Sequence, residues 1–245
     1  MKQLLLSILI VSCISACNSS SKKEADKSTT NETVATADNN TPVNLLGSYV
    51  GPFGDNKITL LITKVTGDTI EGRSVVGGND RPYSGIVKLA NNVYTVDAKE
   101  PGDDQYDGVF HFTIDAKNSS VVTGNWKPYK EGAHAGPKDF SLERRAFVYV
   151  KDVGDYPEAS QRLLKEDDVN NMMKEDLAVM RNTIFARHGY CFKRKDMRQM
   201  FENKDWYVPN TVDVRKDLTD IEKKNIELIK RYEKYAQDYG DDYGR

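Results

Sequence analysis

Between residues 44 and 150, turn-forming residues cut the chain into short β-rich runs at regular spacing, and this punctuation limits the fold more than any other feature. The runs lie at 45–53, 57–65, 69–77, 81–89, 92–98, 107–114, 120–128 and 138–150. Short strands joined mostly by tight turns predict an antiparallel up-and-down β-barrel or strongly curled sheet. A two-sheet sandwich is the alternative. In a meander, odd and even turns fall at opposite ends. The turns at Gly67-Asp68, Asn91 and Lys117-Asn118 are short. The long loops Lys99–Tyr106 and Tyr129–Pro137 share the other end with Gly54–Asn56 and Gly78–Asp80. That end is the expected binding rim, because function concentrates on loops carried by a rigid scaffold.

The start of the first run, Gly47-Ser48-Tyr49, resembles the opening of lipocalin-like barrels. Within the long loop, Asp103, Gln105, Asp107 and Gly108 resemble the start of a calcium loop, but Gln105 and Ile114 stand where an EF-hand needs acids. Asp103, Asp104 and Asp107 therefore form a candidate irregular cation site, against the plainer reading of a solvated acidic hairpin. His134 reads as a surface residue, and His111, between Phe110 and Phe112, faces either solvent or the interior.

The chain opens on Met1-Lys2-Gln3 and an apolar run, Leu4 to Val11, too short to span a bilayer. This reads as a secretory signal over residues 1–16. Its end, Ile14-Ser15-Ala16-Cys17, resembles the lipobox of bacterial lipoproteins. The resemblance implies cleavage before Cys17 and a diacylglycerol and palmitate anchor in membrane lipid there; ordinary cleavage without lipid is the alternative. Cys13 leaves with the signal, so Cys191 is the one remaining thiol and no intramolecular disulfide can form. Between Tyr190 and Phe192 it reads as a small buried residue. Residues 17–43 form a polar tether without aromatics. As a flexible coil it spans roughly 25–30 Å. With neither an aspartate nor an acidic cluster after Cys17, the expected location is the periplasmic face of an outer membrane.

From about Pro157 the hydrophobic period turns helical, and residues 151–245 predict a small all-α bundle. Residues 157–172 hold one or two short turns, 174–188 the main helix and 195–204 a second. Gly189 is the main helix's terminator. Thr219-Asp220-Ile221-Glu222 is a capping box opening a long helix to about Gln237. The whole is an α+β chain with a segregated barrel (44–150) and bundle (151–245).

At about 100° per residue, Arg181 and His188 share the apolar stripe of Leu177 and Ile184, with Arg187 at its edge. A buried charge needs a partner. Glu222 lies on the apolar face of the last helix with Ile226 and Ile229, which predicts an Arg181–Glu222 ion pair. The stretches "LAVMRNTIFARHGYCF", "MFENKDWYVPN" and "LTDIEKKNIELIK" together resemble the YARHG domain of bacterial secreted and envelope proteins, over roughly residues 160–234. Phe185 stands where that motif usually has Tyr. The resemblance implies a small helical extracellular module with no established activity. Arg187-His188-Gly189 reads first as a helix stop locked by polar groups, and second as part of a cleft lined by Arg187, His188, Trp206 and Tyr207 for a glycan or anionic peptide.

A net charge of −2 offers no basic field for nucleic acid. There is no G-x-S-x-G, no H-E-x-x-H, no phosphate loop and no metal-ligand cluster, so neither catalysis nor a cofactor is expected. The expected function is a tethered envelope-binding module touching peptidoglycan or an envelope protein. The alternatives are a small-ligand barrel and, using a carboxylate pair, an envelope glycan hydrolase.

Overall fold

Inward-facing apolar residues alternate with outward polar ones along each run of the first half, and that period of two drives the strands together. The computed structural model describes residues 45–103, 106–130 and 136–239. The expected signal segment, Cys17 and its tether, Asp104, His134 and the tail after residue 239 lie outside the described residues. The strands are β1 (Gly47–Phe53), β2 (Asn56–Thr66), β3 (Thr69–Val76), β4 (Asn79–Ala90), β5 (Val93–Lys99), β6 (Gly108–Asp115), β7 (Val121–Pro128) and β8 (Lys138–Arg144). Each pairs antiparallel with its neighbour, and β8 returns to β1 through Tyr49–Arg144 and Val50–Glu143, closing an up-and-down barrel. Closure leaves no sheet edge, which distinguishes the barrel from a sandwich.

The barrel interior is filled. Ile58, Leu60 and Ile62 of β2 meet Phe110, Phe112 and Ile114 of β6 in one buried cluster. Burying each such side chain contributes about 1.5–3 kcal/mol. His111 points outward and pairs with Asp97 at 2.5 Å.

The last strand is shorter than the run that encodes it. It ends at Arg144, where its register against β1 ends. Residues 145–150 then leave the barrel as a strap: the Arg145 guanidinium donates to the Asp205 carbonyl, and Tyr149 stacks on His188 with ring centroids 4.4 Å apart.

The helical part comprises α1 (Glu158–Gln161), a 3-10 turn (Glu166–Asp168), α2 (Lys174–Arg187), α3 (Lys195–Phe201) and α4 (Asp220–Tyr239). Leu177, Met180 and Ile184 of α2 pack on Ile226 and Ile229 of α4. Phe192, Met197, Phe201 and Tyr207 form a second cluster with Ala186. Thr219 and Glu222 make the capping box, Glu222 N donating to Thr219 Oγ1 at 3.2 Å and Thr219 N to Glu222 Oε2 at 2.9 Å. Asn225 clasps the end of α1: its Nδ2 donates to Ala159 O and Arg162 O, and its Oδ1 accepts from Leu164 N.

Barrel and helices touch directly, within one compact unit. The outward faces of β2 and β3 supply donors, and the strip Lys204–Asn210 supplies main-chain acceptors. Lys57 Nζ donates to Lys204 O (3.0 Å) and Tyr207 O (3.3 Å), Thr59 Oγ1 to Pro209 O, and Arg73 Nη2 to Asn210 O (3.1 Å). Beside the strip, Gly78 N donates to the buried Cys191 Sγ at 3.2 Å. Burial pushes that thiol up to about 12.

Gly189 ends α2 as expected, at φ 71°. A Cβ there would meet Phe147 and Asn210 at 2.8 Å. Gly189→Ala is expected to cost about 2 kcal/mol through left-handed strain and overlap. A fall in Tm of several degrees by differential scanning calorimetry checks this.

Candidate functional site

Arg187, His188 and Glu222 meet in the interior of the helical part. Arg187 is 1% exposed. Its Nε donates to Val153 O (2.9 Å), Nη2 to Asp155 O (2.7 Å) and Nη1 to Ser160 Oγ (3.0 Å). Ser160 in turn hydrogen-bonds Glu222. His188 Nε2 lies 2.8 Å from Glu222 Oε2, and Tyr149 OH donates to Glu222 Oε1 at 3.1 Å. Glu222 is fully buried. Burial alone would raise its carboxyl, but hydrogen bonds from His188, Thr219 and Ser160 outweigh it and hold the group at about 2. Burial and the Glu222 charge push the Tyr149 phenol up to about 12. Three spaced segments thus converge on one carboxylate: the strap with the Val153–Ser160 stretch, the Arg-His-Gly end of α2, and the capping box of α4.

Residues 154–234 match the YARHG domain. The match covers every member of this network except Tyr149 and Val153. No curated protein and no solved structure matches the chain.

The YARHG module's signature residues are thus in its core, which corrects two expectations. Arg181 does not pair with Glu222; it pairs with Glu233 at 3.0 Å, and His188 takes Glu222. Helical periodicity assigns a face but no level along the axis. Here α2 and α4 pack antiparallel, so the C-terminal end of α2 meets the first turn of α4. The cleft of Arg187, His188, Trp206 and Tyr207 is not open either. Arg187 and His188 are sealed under the 149–160 segment, while Tyr207 is buried in the aromatic cluster and donates to Tyr190 O at 2.7 Å. Trp206 is half-buried, its ring in the space beside Gly154.

The cation-site residues also diverge. Asp103 is exposed, whereas Asp107 is buried and paired with Arg81 at 3.1 Å. Among the described residues no three potential ligands cluster for a metal.

Concave surfaces lie elsewhere among the described residues. One is a groove of about 660 Å³ on the YARHG module, between α2, α3, α4 and the 212–218 segment. Phe185, Tyr190 and Phe192 line its floor, and Lys223 and Lys230 stand on its α4 wall. Arg194 and Arg215 border it with their partners Asp196 and Asp213 already engaged.

Another is the barrel mouth at the long-loop end, a cavity of about 600 Å³. The interior's outermost layer differs from the apolar layers beneath. Phe53, Phe110 and Trp126 form an aromatic floor. Glu100 is buried and accepts from Ser74 Oγ (2.7 Å), Trp126 Nε1 (3.0 Å) and Gly108 N (3.1 Å). Burial raises its carboxyl, against the pull of those donors and Arg81. Lys138 Nζ sits 4.8 Å from the Trp126 ring centroid and 5.2 Å from that of Phe53. Sequence reading missed this layer, although the signal was present. Glu100 continues the inward series Val96, Ala98, and Lys138 precedes the inward Phe140 and Leu142 at the same period of two.

The Glu222 carboxyl sits below its ordinary 4.5 in the folded chain. A depressed carboxyl stabilises fully above the unfolded value, and that contribution is lost as pH falls from about 4.5 toward about 2. Glu222→Gln is expected to cost about 3 kcal/mol at pH 7 by leaving the surrounding donors poorly matched. The Tm gap between variant and parent should narrow steadily from pH 5 to pH 2, as thermal melts across that range would show.

Proposed function

We propose that this chain is a non-enzymatic, lipid-anchored envelope protein whose YARHG module binds peptidoglycan or another envelope component. The observation that carries the reading is the aromatic-floored groove, which lies within the matched residues 154–234 and keeps its α4 lysines at the lip. Aromatic faces stack on sugar rings or apolar stems, while ammonium groups attract stem carboxylates. Lys230 has no carboxylate within ion-pairing distance among the described residues, which leaves its charge for a partner. Anchoring at Cys17 belongs to the same proposal, with the tether lifting the folded part from an outer membrane toward the wall. The ligand groove replaces the Arg187–His188 cleft as the contact face, because those two side chains are occupied internally.

The filled barrel interior counts against a deep carrier cavity and so against a small-ligand barrel of the enclosed kind. Against the glycan-hydrolase reading, the buried carboxylates Glu100 and Glu222 are consumed by structural hydrogen bonds and Asp107 is paired with Arg81.

Co-sedimentation with purified sacculi tests the reading. The full chain is expected to pellet with sacculi, and Lys223→Glu/Lys230→Glu to reduce the bound fraction at least tenfold with an unchanged circular dichroism spectrum. A parent chain that stays in the supernatant, or a charge-reversed variant that pellets equally well, would sink it.

A further inference from the structure

The barrel mouth carries charged side chains on the inward face of a barrel, where alternation otherwise places apolar ones. Arg81 and Glu100 are accounted for: one pairs with Asp107 and the other binds three donors. Lys138 is not. Its amino group donates to Gly136 O at 3.3 Å and lies over two aromatic rings, and among the described residues no carboxylate stands within ion-pairing distance. Burial lowers its ordinary value, so its charge is held at some cost.

The opposite wall comes from another part of the chain. Lys193 and Arg198, at the start and within the first turns of the α3 region, reach over the rim and line the same cavity. The β3–β4 turn brings them there. Gly78 adopts φ 83°, and a Cβ at this position would lie 2.6 Å from the Lys193 backbone, so the turn and the module are in direct contact. The cations Arg81, Lys138, Lys193 and Arg198 thus face a cavity whose acids are Asp55 and the consumed Glu100.

We propose that this mouth is a binding site for a small amphiphilic anion, with an aromatic or short acyl body on the Phe53–Phe110–Trp126 floor and a carboxylate, sulfonate or phosphate head between Lys138 and Arg198. A volume of about 600 Å³ suits a ligand of that size. The floor already holds a cation against its ring faces, so an entering anion gains both an apolar surface and a fixed counter-charge in a site of reduced water access. Because the site is built jointly by barrel and YARHG module, occupancy bears on both. It does not depend on the groove reading above.

The chain has two tryptophans. Trp206→Phe leaves Trp126, the floor residue, as the only reporter. Titration of the full Trp206→Phe chain with 8-anilinonaphthalene-1-sulfonate is expected to quench Trp126 emission in a saturable, one-site manner. Lys138→Gln in that background should weaken binding at least tenfold, and so should Arg198→Gln, which lies on the module and leaves the barrel interior intact. Lys230→Glu, in the separate groove, should change nothing. Uncharged N-phenyl-1-naphthylamine should bind at least tenfold more weakly than the sulfonate. The proposal is overturned by absence of saturable quenching, by equal affinity for the charged and uncharged probes, or by indifference to both Lys138→Gln and Arg198→Gln.

Discussion

Glu222 carries a charge where water does not reach it, and the helical half of the molecule is arranged around that demand. A buried carboxylate survives only if its lone pairs are filled. Tyr149, His188, Ser160 and Thr219 fill them, and they come from three separate stretches of chain. Satisfying one group therefore fixes the strap after the barrel, the stop of α2 and the start of α4 relative to one another. Arg187 completes the arrangement from the other side, holding Val153, Asp155 and Ser160 so that the strap lies flat. The Arg-His-Gly sequence is conspicuous because it is a lock.

The same logic explains which features were legible in the sequence. Strand runs, their turns and the meander order follow from local alternation and turn chemistry, and the β8–β1 closure selects the barrel over the sandwich that the same pattern allows. The helix stop at Gly189 and the capping box at Thr219 were equally readable, since both are local. The Arg181–Glu222 pair was misjudged because a helical period carries azimuth but no height, and the height came from antiparallel packing between elements some forty residues apart in sequence. The burial of Arg187 was missed for a related reason. Its cover is residues 149–160, which have little periodicity and read as a lead-in. The short end of β8 reflects a long-range limit as well: after Arg145 N donates to Ser48 O at 2.9 Å, the chain turns from β1 toward the helical part.

At the barrel mouth the opposite happened. The strand runs 81–89 and 138–150 hold Arg81 and Lys138 but give neither them nor Glu100 an inward role, because polar residues near strand ends are ordinarily solvated. The structure keeps the alternation running through them. A charged residue in phase with a barrel's interior is a stronger signal than a charged loop. The acidic loop supplies Asp107 as a counter-ion to Arg81.

The seam between the two halves has its own grammar. Lys57, Thr59, Arg73 and Arg145 reach main-chain carbonyls of the 204–210 strip, not side chains. A carbonyl is present whatever residue bears it, so these four contacts depend on the path of the strip's backbone, which the buried side chains of Tyr207 and Val208 help to hold. For these four contacts the side-chain donors belong to the barrel and the strap, while Cys191 adds one side chain of the helical part that accepts from Gly78 N. A substitution that shifted the backbone of the strip would therefore break several of these contacts at once, even if it changed none of the donors.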